Sequence, residues 1–207
     1  RRFRSILGAN PNALVLPRIK IDPPKWWMDR NPDEVSLYMK DGTPTRSEGV
    51  SLASRAWEDA YVRMLRDFIG HVETSGYGDH VIGYMPAGGS ASEWYWYGQD
   101  KGEIDYSLAA RDAWRRWLAG KYPHDGALRA AWGRLDASLS TATLPGPEAR
   151  SATECFSFRD PMRAGEFLDF RRFLCDSVSR QVVRSCAIVK EATGGRKLAG
   201  AFYGYSL

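Results

Sequence analysis

Cysteine and histidine are scarce in this sequence, and what there is does not cluster. Among 207 residues there are three Cys and three His. Cys155, Cys175 and Cys186 are widely spaced and form no CxxC pair, and their odd number argues against a disulfide framework. Cys175 and Cys186 fall in a helical pattern and are expected as buried small hydrophobes. His71, His80 and His124 are scattered, with no Ser or Cys partner at a suggestive spacing, which speaks against a hydrolytic triad. Charge of one sign is also lacking. The net charge is +4, and Arg1, Arg2 and Arg4 carry three of those charges. Elsewhere bases alternate with acids and form no stripe, so a nucleic-acid partner is not expected. No apolar run approaches the ~20 residues of a membrane span. There is no signal-like start, and the first residues read as mid-domain sequence.

Aromatics are abundant: eight Trp, ten Tyr and eight Phe. Hydrophobic content of 43% and charged content of 26% are otherwise ordinary for a globular chain. The length suits one large domain or two small ones and allows a sizeable core. Trp beyond the needs of a core often lines a site where flat ligands stack. The densest aromatic stretch is "GYMPAGGSASEWYWYGQD", Gly83 to Asp100. In it Glu93 stands between a run of small residues and the rings of Trp94, Tyr95, Trp96 and Tyr97.

Along the chain, "NALVLPRIKID", Asn12 to Asp22, reads as a buried strand that ends at "PP". "PKWWMDRNPDE" reads as an ordered loop, and "KDGTPTRSEG" as a turn-rich connection. Ser54 to His71 is helical, with Trp57, Tyr61, Met64 or Leu65, and Phe68 on an apolar face that belongs to the core. "DHVIGYMPAGG", Asp79 to Gly89, is the second strand. Ser107 to Lys121 is a helix capped by Asp105 or Ser107, with Leu108, Ala113 or Trp114, and Trp117 or Leu118 as its apolar stripe. "DGALRAAWG" is a short helix closed by Gly133. Residues 134–153 read as loop. A long helix starts at Asp160, with Pro161 in its first position, and stops at Gly194-Gly195. "RKLAGAFYGYSL" is the third strand.

Strand, helix, strand, helices, strand, with long crossovers and no tight hairpin between the strands, is the pattern of parallel β-α units. The fold class is α/β. In such folds the ligand site lies beyond the carboxyl ends of the strands. Arg18 with Asp22, then Glu93, then Tyr203 with Tyr205 would meet there. Tyr203 and Tyr205 share one strand face. Pocket lining and interior packing are equally compatible with that spacing. Of Trp26 and Trp27, one is expected buried and one lining the cleft. Asp22 is read either as a site residue or as fixing the loop before Pro23. Glu103 and Asp105 lie near Glu93 in sequence, and capping of the next helix is the expected role of Asp105.

"AWRRWLAGKYPHDGALRAAWG", Ala113 to Gly133, followed by "TLPGPE", resembles the segment after the fourth strand in glycoside hydrolase family 42, the β-galactosidases of the retaining TIM-barrel clan. "DFRRFLCDSVSRQVVRSCAIVKE", Asp169 to Glu191, is similar to the long helix that follows there. "PRIKIDPPKWW" resembles the third strand with its Pro-Trp loop, and "DHVIGY" the strand leading to the acid/base. The resemblance runs in order through nearly the whole chain. It implies a partial (β/α)8 TIM barrel, roughly strands 3 to 5 with their helices, and a single partial catalytic domain over residues 1–207. It further implies Glu93 as general acid/base, a carbohydrate substrate and no cofactor. The family's nucleophile, a Glu on the seventh strand, has no counterpart before Leu207, which implies an extracted fragment. The family's acid/base usually follows an Asn that contacts the sugar 2-hydroxyl, and Ser92 stands at that place here. Some members bind zinc through cysteines in the region matching Gln99 to Asp112, which holds no Cys, so no metal is expected.

Retaining hydrolysis needs two carboxyl groups ~5–5.5 Å apart, one acid and one nucleophile. The acid must hold its proton near neutral pH, and burial against rings favours the neutral form. The rings around Glu93 fit that need, and Trp94 and Trp96 are also candidates for packing on a sugar face. Substrate contacts are expected from Arg18, Asp22, Trp26, Ser92, Trp94, Trp96, Tyr203 and Tyr205. Arg18 is equally compatible with orienting a catalytic carboxylate and with a salt bridge inside the barrel. The residues leave two other readings of Glu93 open, a ligand-binding but non-catalytic carboxylate and a loop-fixing one. They also leave open a carbohydrate-binding barrel relative without activity. An incomplete barrel has open edges, so a homo-oligomer is a further expectation.

Overall fold

The structure is a computed structural model and describes residues 2–151, 159–161 and 163–202. In chain order the elements are α1 (Arg2–Ala9), β1 (Arg18–Lys20), α2 (Lys25–Arg30), β2 (Val35–Lys40), β3 (Thr43–Val50), α3 (Arg55–Glu73) and β4 (Gly83–Ala87). They continue with β5 (Glu103–Ile104), α4 (Leu108–Lys121), α5 (Asp125–Trp132), α6 (Pro147–Ser151), α7 (Gly165–Ala192) and β6 (Leu198–Ala199). The chain divides into two compact units. The first holds Arg1–Pro24, Ala56–Tyr95 and Arg180–Leu207, and the second Lys25–Arg55 and Trp96–Ser179. No described helix is long and apolar enough to cross a membrane.

The first unit is built on a parallel sheet in the order β1-β4-β6. Arg18 pairs with Met85 and Lys20 with Ala87 on one side of β4, and Gly83 with Leu198 on the other. This is the parallel arrangement expected from the alternation of strands and helices. Helix α3 forms because Trp57, Tyr61, Leu65, Ile69 and Val72 recur at helical spacing, and all five are buried. Met64, an expected alternative on that face, is instead exposed. The helix lies on the sheet. Trp57 Nε1 donates to the Ile21 carbonyl at 3.1 Å, and the Tyr84 hydroxyl donates to Glu73 at 2.7 Å. Burial and the Glu73 carboxylate together push the Tyr84 phenol well above its usual range. The second half of α7 packs on α3 by way of Ser185 and Tyr61.

The first strand differs from the buried strand expected over Asn12–Asp22. It has three residues, at a sheet edge, and Leu14 and Leu16 are 67% and 42% exposed while Ile21 is 2% exposed. Only one face is covered, so only alternate side chains are buried.

The second unit contains what was expected to be absent, a tight hairpin. Strands β2 and β3 are antiparallel, with Lys40 opposite Thr43 across Asp41-Gly42. Both turn residues are left-handed, with φ of 49° and 75°. Asp-Gly is the pair that such a two-residue turn prefers. The polar run Thr43–Glu48 hid the strand, and Pro44 is tolerated because β3 is an edge, where a missing N–H breaks no ladder. "PKWWMDR" likewise holds α2 rather than loop.

Aromatic burial answers most of the Trp load. Trp114 is fully buried, with the rings of Trp117, Trp132, Phe170 and Phe173 at centroid distances of 5.4, 6.0, 5.8 and 5.4 Å. On α4 the buried stripe is Ala110, Trp114 and Leu118, whereas Leu108 is exposed. Ser107 caps α4, its hydroxyl accepting from the Ala110 amide, and His124 caps α5 by accepting from Ala127. Gly133 closes α5 at a φ of 64°. Asp169 of α7 binds this layer together, accepting from the Tyr122 hydroxyl at 2.6 Å, from Trp132 Nε1 at 3.0 Å, and from the Lys121 ammonium. The long helix begins at Gly165, five residues later than expected, because the Asp160 carbonyl accepts from the Arg163 and Ala164 amides and closes a turn. It ends before Gly194-Gly195 as expected. Cys175 is exposed on the outer face of α7, between the buried pairs Phe173-Leu174 and Ser177-Val178, so it is not the core residue expected. Cys186 is half-buried, which raises its thiol. Cys155 lies outside the described residues.

Asp105 ties the hairpin to α4. Its Oδ1 accepts from the Leu37 amide at 3.1 Å and the Ser107 amide at 2.8 Å. The residue is fully buried, and desolvation pushes its carboxyl above the usual carboxylate range. Bonds from Leu37, Ser107 and Ser51 oppose that shift without cancelling it. A folded pKa above the unfolded 3.8 means the folded state binds more protons, so this group lowers stability as pH rises through that window. Asn at 105 keeps the acceptor and removes the charge. We therefore expect Asp105→Asn to flatten the fall in unfolding free energy above about pH 4. Urea unfolding across acid to neutral pH reads this directly, and an unchanged slope would contradict it.

Candidate active site

The central strand β4 runs out at Ala87 into a loop that turns back on itself. Ser90 donates to the Tyr95 carbonyl at 2.8 Å, and Trp94 to the Gly88 carbonyl at 2.7 Å. Within that closure Ser92 bonds Gly89 at 3.0 Å and Glu93 bonds Ser90 at 3.2 Å. The fold is tight enough to force left-handed backbone at four of these residues. Gly89 has φ of 77°, and the non-glycines Ala91, Ser92 and Trp94 have 55°, 59° and 63°. Each such non-glycine costs roughly 1–2 kcal/mol. Strain of this kind persists only where surrounding structure over-determines it.

Arg18 supplies much of that determination. It reaches from β1 and donates through Nη2 to the carbonyls of Ala91, at 3.2 Å, and Ser92, at 2.7 Å. The same nitrogen is 4.0 Å from Glu93 Oε1. Its Cζ lies over the ring of Phe202, beyond β6, 4.8 Å from the centroid. Three strands of the parallel sheet thus contribute to one cluster beside β4. The Glu93 side chain is 23% exposed, within reach of solvent and of a ligand.

The expected site residues divide accordingly. Arg18, Ser92 and Glu93 come together. Asp22 stands at the end of β1, 3.0 Å from the Lys20 ammonium. Trp94 follows Glu93 but is turned inward, 2% exposed, and a side chain at Gly88 would press on its ring at 3.2 Å. Its Nε1 is buried with no hydrogen-bond partner among the described residues. Trp26 and Trp96 belong to the second unit. Trp26 is 57% exposed on α2 with Arg30 over its ring, and Trp96 is 5% exposed. Trp27 is half-buried, so neither member of the Trp26-Trp27 pair is the buried one expected. Asp105 is structural, but the cap of α4 is Ser107 and not Asp105, which accepts from the Ser107 amide, and Glu103 accepts from the Tyr106 hydroxyl at 3.3 Å. Tyr203 and Tyr205 lie outside the described residues. Phe202 was missed, because its partner is 184 positions away and no local pattern marks such a contact. Among the described residues no group of three His, Cys, Asp or Glu could hold a metal ion.

The chain matches no family model, and no curated protein matches it in sequence. Solved structures do match, β-galactosidases among them. One from the psychrophilic Marinomonas ef1 superposes with a TM-score of 0.63 at 22% identity, covering 93% of this chain and 26% of that one. One from the Antarctic haloarchaeon Halorubrum lacusprofundi gives 0.62 at 23% identity, covering 86% and 25%. A catalytic mutant of a GH42 β-galactosidase from G. stearothermophilus gives 0.60 at 18% identity, covering 86% and 24%. The likeness at these identities is one of fold. The chain is a mixed α/β structure that resembles the barrel region of β-galactosidases, and it spans about a quarter of the length of those proteins. The resemblance read from Ala113 to Gly133 and its companions thus holds at the level of fold.

The loop's strain yields a direct expectation. A Cβ at Gly89 would stand 2.5 Å from the Tyr95 carbonyl oxygen, at a φ of 77°. Gly89→Ala should destabilise the chain by about 1 kcal/mol or more. Chemical denaturation monitored by tryptophan fluorescence tests this, and a variant as stable as the parent would show that the turn is not needed.

Proposed function

We propose that this chain is part of the catalytic barrel of a family 42-like retaining glycoside hydrolase acting on a β-linked sugar. On this reading residues 1–207 form one partial (β/α)8 catalytic domain, roughly strands 3 to 5. The observation that carries it is Glu93, held in a strained loop beyond the carboxyl end of the central parallel strand. That is where α/β architectures carry chemistry.

Glu93 is the general acid/base. It gives its proton to the glycosidic oxygen as the bond to the anomeric carbon breaks. A second carboxylate, outside these 207 residues, attacks from the other side and forms the glycosyl-enzyme. Glu93, now ionised, takes a proton from water as the intermediate is hydrolysed. Two carboxyl groups suffice for this, and the mechanism calls on no cofactor. The Ser92 hydroxyl offers one short hydrogen-bonding arm to the sugar. Asp22, Tyr203 and Tyr205 are the further substrate contacts. Trp94, buried next to Glu93, serves as an apolar wall.

The decisive comparison is the whole protein against its Glu93→Gln variant on aryl β-glycosides. With a poor leaving group, kcat/KM should fall by about 10²–10⁴-fold. Activated leaving groups should lose less. Turnover that is the same in both proteins with the poor leaving group removes Glu93 from the chemistry. Ser92 in place of Asn favours a second reading, a carbohydrate-binding relative without activity. Calorimetric sugar binding by the whole protein, with no turnover of any glycoside, would support it.

On this proposal the 207-residue chain alone is inactive and self-associates. Both faces of a parallel sheet are normally covered. Here Leu14, Leu16, Leu198 and Phe202 are exposed, and β1 and β6 are the sheet edges. Sedimentation should therefore find concentration-dependent oligomers. A clean monomer at high concentration contradicts this.

A further inference from the structure

From the sequence, Arg18 is expected as a substrate contact. The geometry points to a different job: we propose that Arg18 is a positioning residue that latches the Glu93 loop and sets where its carboxyl stands. The inference rests on the glycosidase reading only for its catalytic consequence, because the latch itself is a matter of loop structure.

The donor is spent on the backbone. Arg18 Nη2 points at two successive carbonyls, Ala91 and Ser92, at 3.2 and 2.7 Å, and stands off from Glu93 Oε1 at 4.0 Å. Those carbonyls belong to the two consecutive left-handed non-glycines, φ 55° and 59°, that precede the acid. Left-handed backbone at Ala91 and Ser92 has no intrinsic preference behind it. A charged donor that bonds both carbonyls at once supplies one from outside. It also acts one residue away from the acid, so moving the latch moves the carboxyl.

The latch is itself anchored. Arg18 pairs with Met85, two residues before the end of β4, so its backbone is fixed beside the strand that carries the loop. Arg18 Cζ lies over the Phe202 ring, 4.8 Å from its centroid. An ammonium lacks the fixed fork of a guanidinium and sits on a different stem, so Lys is not an equivalent here.

Hydrogen exchange on the 207-residue chain tests this with Arg18→Met and Arg18→Lys. The amides of Ser92, Glu93 and Trp94 are bonded inside the loop, to the carbonyls of Gly89, Ser90 and Gly88 respectively. In Arg18→Met the segment 88–96 should exchange at least about tenfold faster, with α3 unchanged. Arg18→Lys should fall between Met and the parent. Parental exchange of the loop in Arg18→Met overturns the proposal. If Arg18→Met loses protection throughout, Arg18→Lys decides: acceleration confined to the loop supports the latch, and parental rates overturn it. In the whole protein, Arg18→Met should lower kcat on aryl β-glycosides at unchanged KM, with partial recovery in Arg18→Lys. A raised KM at unchanged kcat would make Arg18 a substrate contact and overturn the positioning role. Absence of turnover in the parent protein would defeat the glycosidase reading, and the exchange result would still judge the latch.

Discussion

The parallel pairing of β4 between β1 and β6 is the constraint on which the first unit depends. Parallel strands send their carboxyl ends to the same side, so whatever follows β4 emerges beside the ends of its neighbours. The hydrogen bonds from Arg18 through Lys20 on one side and Leu198 on the other set that register. Helix α3 covers one face by burying Trp57, Tyr61, Leu65 and Ile69, and it anchors the sheet with the Trp57–Ile21 and Tyr84–Glu73 bonds. The other face keeps charged side chains. A lysine and an arginine on a strand of a parallel sheet depart from the usual apolar run.

The loop after β4 shows how local cost and function connect. Four left-handed residues in a stretch of six are not what a chain adopts by itself. The antiparallel closure between Ser90 and Tyr95, the inward Trp94 and the two bonds from Arg18 together hold it. A loop held this way fixes where the Glu93 backbone stands. The proposed acid role would draw on that, because proton transfer depends on heavy-atom distances of about 2.6–3.2 Å. The second unit solves a different problem. Its hairpin, its stacked tryptophans and the Asp169 network give it a core of its own, in which Asp105 and Asp169 work as fasteners.

Much of the fold was legible because it depends on short-range periodicity. The apolar spacing of α3, the Ser107 cap, the Gly133 stop and the Gly194-Gly195 end of α7 are local, and local rules found them. The failures were also physical. The Asp41-Gly42 hairpin was passed over because Thr43 to Glu48 is polar, and an edge strand does not need an apolar pattern. The strand over Asn12–Asp22 was read as buried because an apolar run carries no sign of how many neighbours it will have. The aromatic abundance was read partly as a binding surface, yet Trp57, Trp94, Trp96, Trp114 and Trp132 are all buried. Trp content reports ring area and says nothing of where that area goes.

By itself the sequence determined the class of fold, the main helices α3, α4, α5 and α7, and the place of Glu93 just past an apolar strand. These follow from hydrophobic spacing and chain order, which any fold must respect. Only the tertiary structure decided what Arg18 touches, that Phe202 lies against it, that Trp94 turns inward, and that Ala91, Ser92 and Trp94 accept left-handed backbone. These depend on atoms more than 70 residues apart, as from Arg18 to Ala91 and Ser92, meeting within hydrogen-bonding distance. The free energy of such meetings depends on the packing that surrounds them, and no window of neighbouring residues contains it.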